Sequence, residues 1–169
     1  MPMKITPDGA QKFIRSLEED RYQLIEKINK LSTFVVAVSE GNPEDLRPEF
    51  DCMGTIKEIE TIDQKIQAIK HARNVFNTLT HLPDEKITVD EALVLMAMLN
   101  KNYEYYTKLG NKERKERNRT GYGNEIEYTY TNYDIQEVKT YGKSMYERML
   151  EVQSKLNIVN STYTFEVNL

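Results

Sequence analysis

Arg114, Lys115, Arg117 and Arg119 are followed within a few residues by Tyr122, Tyr128 and Tyr130. Guanidinium and ammonium groups grip phosphate oxygens, and flat phenol rings stack on bases, so this mixture suits a nucleotide-like anion. Glu113 and Glu116 are interspersed, and the ordinary alternative is a solvated, charged arm. Two further arginines stand where apolar residues belong. Arg21 and Arg73 each occupy a seam position of a strongly periodic apolar pattern, and a charge in a helix seam must find an opposite charge. The partner could be a protein carboxylate such as Glu18, Asp20 or Asp63, fixing register, or an anion brought from outside. Two seam arginines close together would repel, and a phosphate-bearing ligand would relieve that. The expected ligand-binding set is therefore Arg21, Arg73, Arg114, Arg117, Arg119, Tyr122, Tyr128 and Tyr130.

Catalytic chemistry has no comparable footing. His71 and His81 are the two histidines, ten residues apart and on different elements, without the four-residue spacing or the Cys partners of a metal site. No serine sits in a nucleophile elbow, and no glycine-rich loop precedes a lysine to cradle phosphate. The many carboxylates lie on helix faces, where pairing with lysine four residues away is the ordinary role. No catalytic residue, metal or cofactor is expected, and the chain reads as a non-enzyme.

Composition bounds the rest. The chain has 169 residues, close to one domain, and a single helical domain over 1–169 is expected, with a charged, Tyr-rich arm at about 111–133. Charged residues make up 30% and the net charge is −4, so no global attraction to long nucleic acid or to an anionic membrane follows. No apolar run approaches the roughly 20 residues that span a bilayer. The start, Met1 to Asp8, lacks the basic and apolar regions of a signal peptide, and Cys52 is alone, without an internal disulfide partner. A cytoplasmic protein is expected, in the host cytoplasm if a phage encodes it.

The elements follow from periodicity. Ala10, Ile14, Leu17, Arg21, Leu24, Ile28, Leu31, Val35 and Val38 alternate four and three apart, the spacing of a coiled-coil seam. With Thr6 as N-cap and Pro7 at the first helical position, a helix over 7–38 is predicted. A second seam, Cys52, Thr55, Ile59, Ile62, Ile66, Ile69, Arg73 and Phe76, predicts a helix over about 50–80, folded back antiparallel on the first. Counting outward from that turn brings Arg73 within one or two helical turns of Arg21. Thr88 and Glu91 form a capping box for a third helix ending near Gly110, whose Met- and Tyr-rich apolar positions wrap more than one face. Residues 125–131 alternate with period two and predict a strand, to be paired with a second strand at 162–167 within the chain or across a subunit boundary. Between them Asp134 and Glu137 introduce a last helix whose seam contains Gly142, a position that permits close backbone approach. The predicted fold is mainly α: a long antiparallel helical hairpin plus two further helices, coiled-coil-like, with a small two-stranded β element.

This succession resembles the septicolysin-like family of bacterial helical proteins. The resemblance rests on Glu40-Gly41 with Pro43 after the first helix, Asn74 and Asn77 near the end of the second, and Thr88 with Glu91 opening the third. It continues through Glu125-Ile126, Asp134-Ile135 and Glu137 to Asn160. The Arg-Asp pair of that family's third helix corresponds to Met96-Ala97 here, the Lys after its Glu-Ile to Glu127, and the Trp after its final Asn to Ser161. The resemblance implies the helical fold rather than a chemistry.

Two functions are consistent with these residues. One is a non-enzymatic, oligomeric binding protein that encloses a small anionic ligand, a nucleotide or cyclic nucleotide above all, between helices and the Arg/Tyr arms of neighbouring subunits. Small phage proteins that sequester cyclic-nucleotide immune signals have this size and character. The other is an oligomeric helical scaffold binding only protein. The wide apolar face of residues 92–109 and the lone strands call for a homo-oligomer in either case.

Overall fold

Local capping chemistry starts the first helix. The Thr6 hydroxyl accepts a hydrogen bond from the Gly9 amide (3.1 Å), and Pro7 occupies a position whose missing N–H costs nothing. The computed structural model describes residues 2–118 and 126–169, which form two compact units: residues 2–77 with 160–169, and residues 78–159.

The first unit contains strand β1 (Met3–Ile5), helix α1 (Pro7–Leu31), most of helix α2 (Cys52–Leu79) and, after the long last helix, the C-terminal strand β4 (Phe165–Val167). Two side-chain contacts, Gln11 with Arg73 and Arg21 with Asp63, run downward on α2 as they run upward on α1, so the pair is antiparallel as predicted. Ala10, Ile14 and Leu17 of α1, Ile66 and Ile69 of α2, and Phe165 and Val167 of β4 make one buried cluster, with the Phe76 ring 5.4 Å from that of Phe165.

The predicted end of α1 is corrected. The helix stops at Leu31, and Val35 and Val38 are 98% and 104% exposed in a connection that carries two short 3-10 turns, Val38–Glu40 and Pro43–Leu46. A seam stabilises a helix only where another surface covers it. Thr33, Val35, Val36 and Val38 are also β-branched and weak helix formers, so the pattern continues in the sequence beyond the point where structure follows it.

The second unit holds helix α3 (Val89–Gly110), strands β2 (Lys115–Arg117) and β3 (Tyr128–Tyr130), and helix α4 (Ile135–Thr162) up to Val159. The predicted capping box forms: Thr88 Oγ1 accepts from the Glu91 amide (3.3 Å), and Glu91 Oε2 accepts from the Thr88 amide (2.7 Å). Asp134 Oδ1 accepts from the amides of Gln136 and Glu137 and so caps α4. Leu82, Val89, Ala92, Leu99, Val152, Leu156 and Val159 are the unit's buried apolar residues.

Strand pairing differs from expectation. The C-terminal strand β4 pairs antiparallel with β1 at the N-terminus, Met3 opposite Val167, and not with residues 125–131. Strand β3 pairs instead with β2, which lies within the run read as a charged, Tyr-rich arm. There are thus two two-stranded sheets among the described residues, where one was expected. Backbone hydrogen bonding accepts charged side chains readily on an exposed ribbon, and a near neighbour in sequence costs less loop entropy to reach than a distant one.

Candidate functional site

Helices α3 and α4 run antiparallel, and two glycines bring their backbones together. A Cβ placed on Gly142 would lie 3.2 Å from Tyr106 Cβ, and one on Gly110 would lie 3.2 Å from Lys139 Cβ. This bears out the close approach read from Gly142 in the seam. Around these contacts the long side chains must splay, and they leave an open cleft of about 330 Å³, at the small end of ligand sites. Tyr103, Thr107 and Asn111 line it from α3 and its C-cap. Gln136, Lys139, Thr140, Lys143 and Tyr146, recurring at three and four residues, line it from α4.

The cleft joins two kinds of chemistry. The Tyr103 and Tyr146 rings sit 5.1 Å apart and tilted by 35°, giving an apolar, polarisable wall. The Lys139 and Lys143 ammonium groups supply positive charge one turn apart. Lys143 is held loosely by Glu147 at 3.6 Å, and both side chains are largely exposed, so this pair contributes little. Lys139 has no ion-pair partner among the described residues. Two threonine hydroxyls and two side-chain amides complete the lining with both donors and acceptors.

None of these cleft residues belonged to the predicted ligand-binding set. Their signal is present in the sequence as Gln136, Lys139 or Thr140, Lys143 and Tyr146 on one helical stripe beside the small seam residue Gly142. It becomes a site only when Tyr103 and Thr107 arrive from another helix.

The predicted residues are distributed elsewhere. Arg21 donates from Nε to Asp63 Oδ1 at 2.7 Å, one of the carboxylates anticipated for it, with both side chains 40% or more exposed. Arg73 donates to the neutral Gln11 Oε1 at 2.7 Å. The two arginines do not share a site, which corrects the expectation that they sit within one or two turns. Asp63, opposite Arg21, lies ten residues before Arg73 on α2, about 15 Å at 1.5 Å per residue. The count failed because α1 ends at Leu31, which moves the hairpin turn and shifts the register of every later pair. Arg114, Arg117, Tyr128 and Tyr130 lie on or beside the β2–β3 ribbon. Arg119 and Tyr122 lie outside the described residues.

A second electrostatic cluster lies in the same unit. Glu85, 16% exposed, accepts from Arg148 Nη1 and Lys155 Nζ, each at 2.8 Å, and Glu151 accepts from Arg148 at 2.7 Å. The hydrogen bonds from Arg148 and then Lys155 hold the Glu85 carboxyl down at about 2, and Glu151 is lowered chiefly by Arg148. This network ties the loop between α2 and α3 to α4. In that loop Asp84 takes the left-handed backbone (φ 57°), and His81 bridges to Thr88. All its charges are mutually satisfied, which is a structural arrangement rather than a reactive one. Among the described residues no group of His, Cys, Asp and Glu could hold a metal ion, and no helix is long and apolar enough to cross a membrane.

No protein-family model and no curated protein matches this chain. Its fold is similar to the crystal structure of a functionally unknown conserved protein from Corynebacterium diphtheriae, with a TM-score of 0.61 at 15% identity, covering 96% of this chain and 99% of that one. At that identity the likeness concerns the fold alone.

Proposed function

We propose that this chain is a non-enzymatic binding protein that takes up a small anion carrying a flat ring, with a nucleotide or cyclic nucleotide as the best-fitting class. The observation that carries this reading is the cleft between α3 and α4, where Lys139 and Lys143 stand beside the paired rings of Tyr103 and Tyr146. The lysines suit a phosphate and the rings suit a base, while threonine and amide groups between them suit a sugar. In this reading the ligand is held and released unchanged, as a sequestering protein requires. Service as a phage sponge for an immune signal belongs to this reading, and the septicolysin-like resemblance bears on its fold only.

The test is thermal. A ligand bound only by the folded state at a hundred times its Kd adds about 2.7 kcal/mol, and for a chain of this size each kcal/mol moves Tm by about 2–4 °C. A panel of mono-, di- and cyclic nucleotides should therefore include one that raises Tm by roughly 5–10 °C. Lys139→Ala combined with Lys143→Ala should remove the shift, and mass spectrometry should recover the ligand intact. A panel without any shift in the wild type overturns the reading.

One observation favours a second reading, an oligomeric helical scaffold. Val94, Met98 and Tyr105 recur at four and seven residues on one face of α3 and are each more than half exposed. An apolar stripe of this kind suits a helix of another subunit, and it supports the homo-oligomer in both readings. Light scattering that gave a monomer at micromolar concentration would remove it.

A further inference from the structure

The β2–β3 ribbon sorts its side chains by chemistry. Residues directly opposite on an antiparallel pair project to the same side, and so do residues two apart on a strand. The register pairs Lys115 with Tyr130 and Arg117 with Tyr128, so these four share one face. Glu116 and Thr129 share the other, and Glu127 belongs with them by alternation, its Oε2 accepting from Asn118 Nδ2 at 3.0 Å. Within the strands one face is thus cationic and aromatic, and the acids lie on the reverse, with Arg114 beside them by the same alternation.

We infer that this face docks a short single-stranded nucleic acid, with Lys115 and Arg117 on successive phosphates and Tyr130 and Tyr128 under the bases. Lys115 and Arg117 are two residues apart, about 6.8 Å along an extended strand, a step that suits neighbouring phosphates of an extended backbone. Every residue of both strands is exposed. Tyr130, 62% exposed, is the more open of the two tyrosines. Lys115 Nζ lies 3.9 Å from the Tyr128 centroid and 5.6 Å from that of Tyr130, so it covers Tyr128 more closely and remains within reach of a phosphate. A second copy of this chain is disfavoured as the occupant, since a two-fold contact would bring this cationic face against an identical cationic face. An acidic peptide would satisfy the cations and leave the rings without a matching partner. A duplex keeps its bases stacked inside, away from the tyrosines.

The experiment is fluorescence polarisation of a labelled oligothymidylate of about ten nucleotides with the full chain at low salt. A Kd on the order of 10⁻⁴ M is expected, with log affinity falling against log salt at a slope of about −1.4 for two neutralised phosphates. Tyr130→Ala should weaken binding about five- to a hundredfold, and Arg117→Ala should weaken it and flatten the slope by about 0.7. Glu116→Ala, on the reverse face, should leave binding equal or tighter. The Lys139→Ala, Lys143→Ala double variant should bind the strand as the wild type does, which separates this face from the cleft between α3 and α4. Circular dichroism confirms that each variant is folded. No binding by the wild type, equal binding by Tyr130→Ala and Arg117→Ala, or equal competition by an oligoglutamate of the same charge would each overturn the proposal.

Discussion

Replacing Gly142 with alanine sets two opposed effects against each other, and the geometry decides between them. In a helix interior, alanine is favoured over glycine by about 1 kcal/mol. Gly142 stands well inside α4, so it would collect this gain in full if the space were open. The new methyl, however, would lie 3.2 Å from Tyr106 Cβ, 3.8 Å from Tyr106 C and 3.9 Å from Thr107 N. Carbon pairs rest at about 3.5–4.0 Å, so the closest contact must open by a few tenths of an ångström. Those neighbours are a Cβ and two backbone atoms, so no flexible side-chain end can swing aside and α3 itself must shift. Overpacking of this kind costs about 1–3 kcal/mol, which leaves a net destabilisation of about 1 kcal/mol and a Tm lower by about 2–4 °C. Scanning calorimetry at constant protein concentration reads it directly. A double-mutant cycle with Tyr106→Gly, which deletes the atom the methyl meets, should show a favourable coupling equal to the relieved clash, about 2 kcal/mol. If Gly142→Ala instead raised Tm by 2 °C or more, the two helices would not be in the close contact on which the cleft depends.

Three other outcomes follow from the structure. Because Arg148 and Lys155 hold Glu85 at about 2, below the ordinary 4.5 of an unfolded carboxyl, its contribution to stability is complete above pH 4.5 and is lost as pH falls toward 2. A Tm–pH profile should therefore rise with pH across that window, and Glu85→Gln should flatten it; parallel profiles would rule out Glu85 as the source. Arg21→Leu removes an exposed pair worth about 0.2–1 kcal/mol, so urea denaturation should place the variant within about 1 kcal/mol of the wild type; a loss of several would point to a buried network instead. Ile69→Ala empties a fully buried position of the cluster formed with Ile14 and Phe165, and it should cost about 2–5 kcal/mol by the same measurement.

Much of the helical framework could be read from residue order alone, because helices are made by contacts three and four residues apart. Thr6 with Pro7, Thr88 with Glu91, and Asp134 mark where α1, α3 and α4 begin; Thr88 and Glu91 bond reciprocally as their spacing predicts, and Thr6 and Asp134 each accept from a nearby backbone amide. Cys52–Leu79 and Val89–Gly110 fall within a few residues of the predicted helices. Gly142 announced a close helix contact by its place in a seam. The arginines were legible only as charges in need of partners. Asp63 was among the candidates for Arg21, but a register change of a few residues at one loop separated it from Arg73.

Helices and their caps are thus written into residue order, since they depend on neighbours within a turn. Strand pairing is not, and it is settled only when distant segments pack. A three-residue strand has too little hydrogen bonding to choose its own partner, so β4 joins β1 from the far end of the chain, and β3 joins β2 across the short connection between them. The cleft likewise exists because Gly110 and Gly142 let α3 and α4 approach, which brings Tyr103 to Tyr146 from more than forty residues away. Contacts of that separation carry no local signature. They form when packing of the apolar seams offsets the entropy of closing the loops between them.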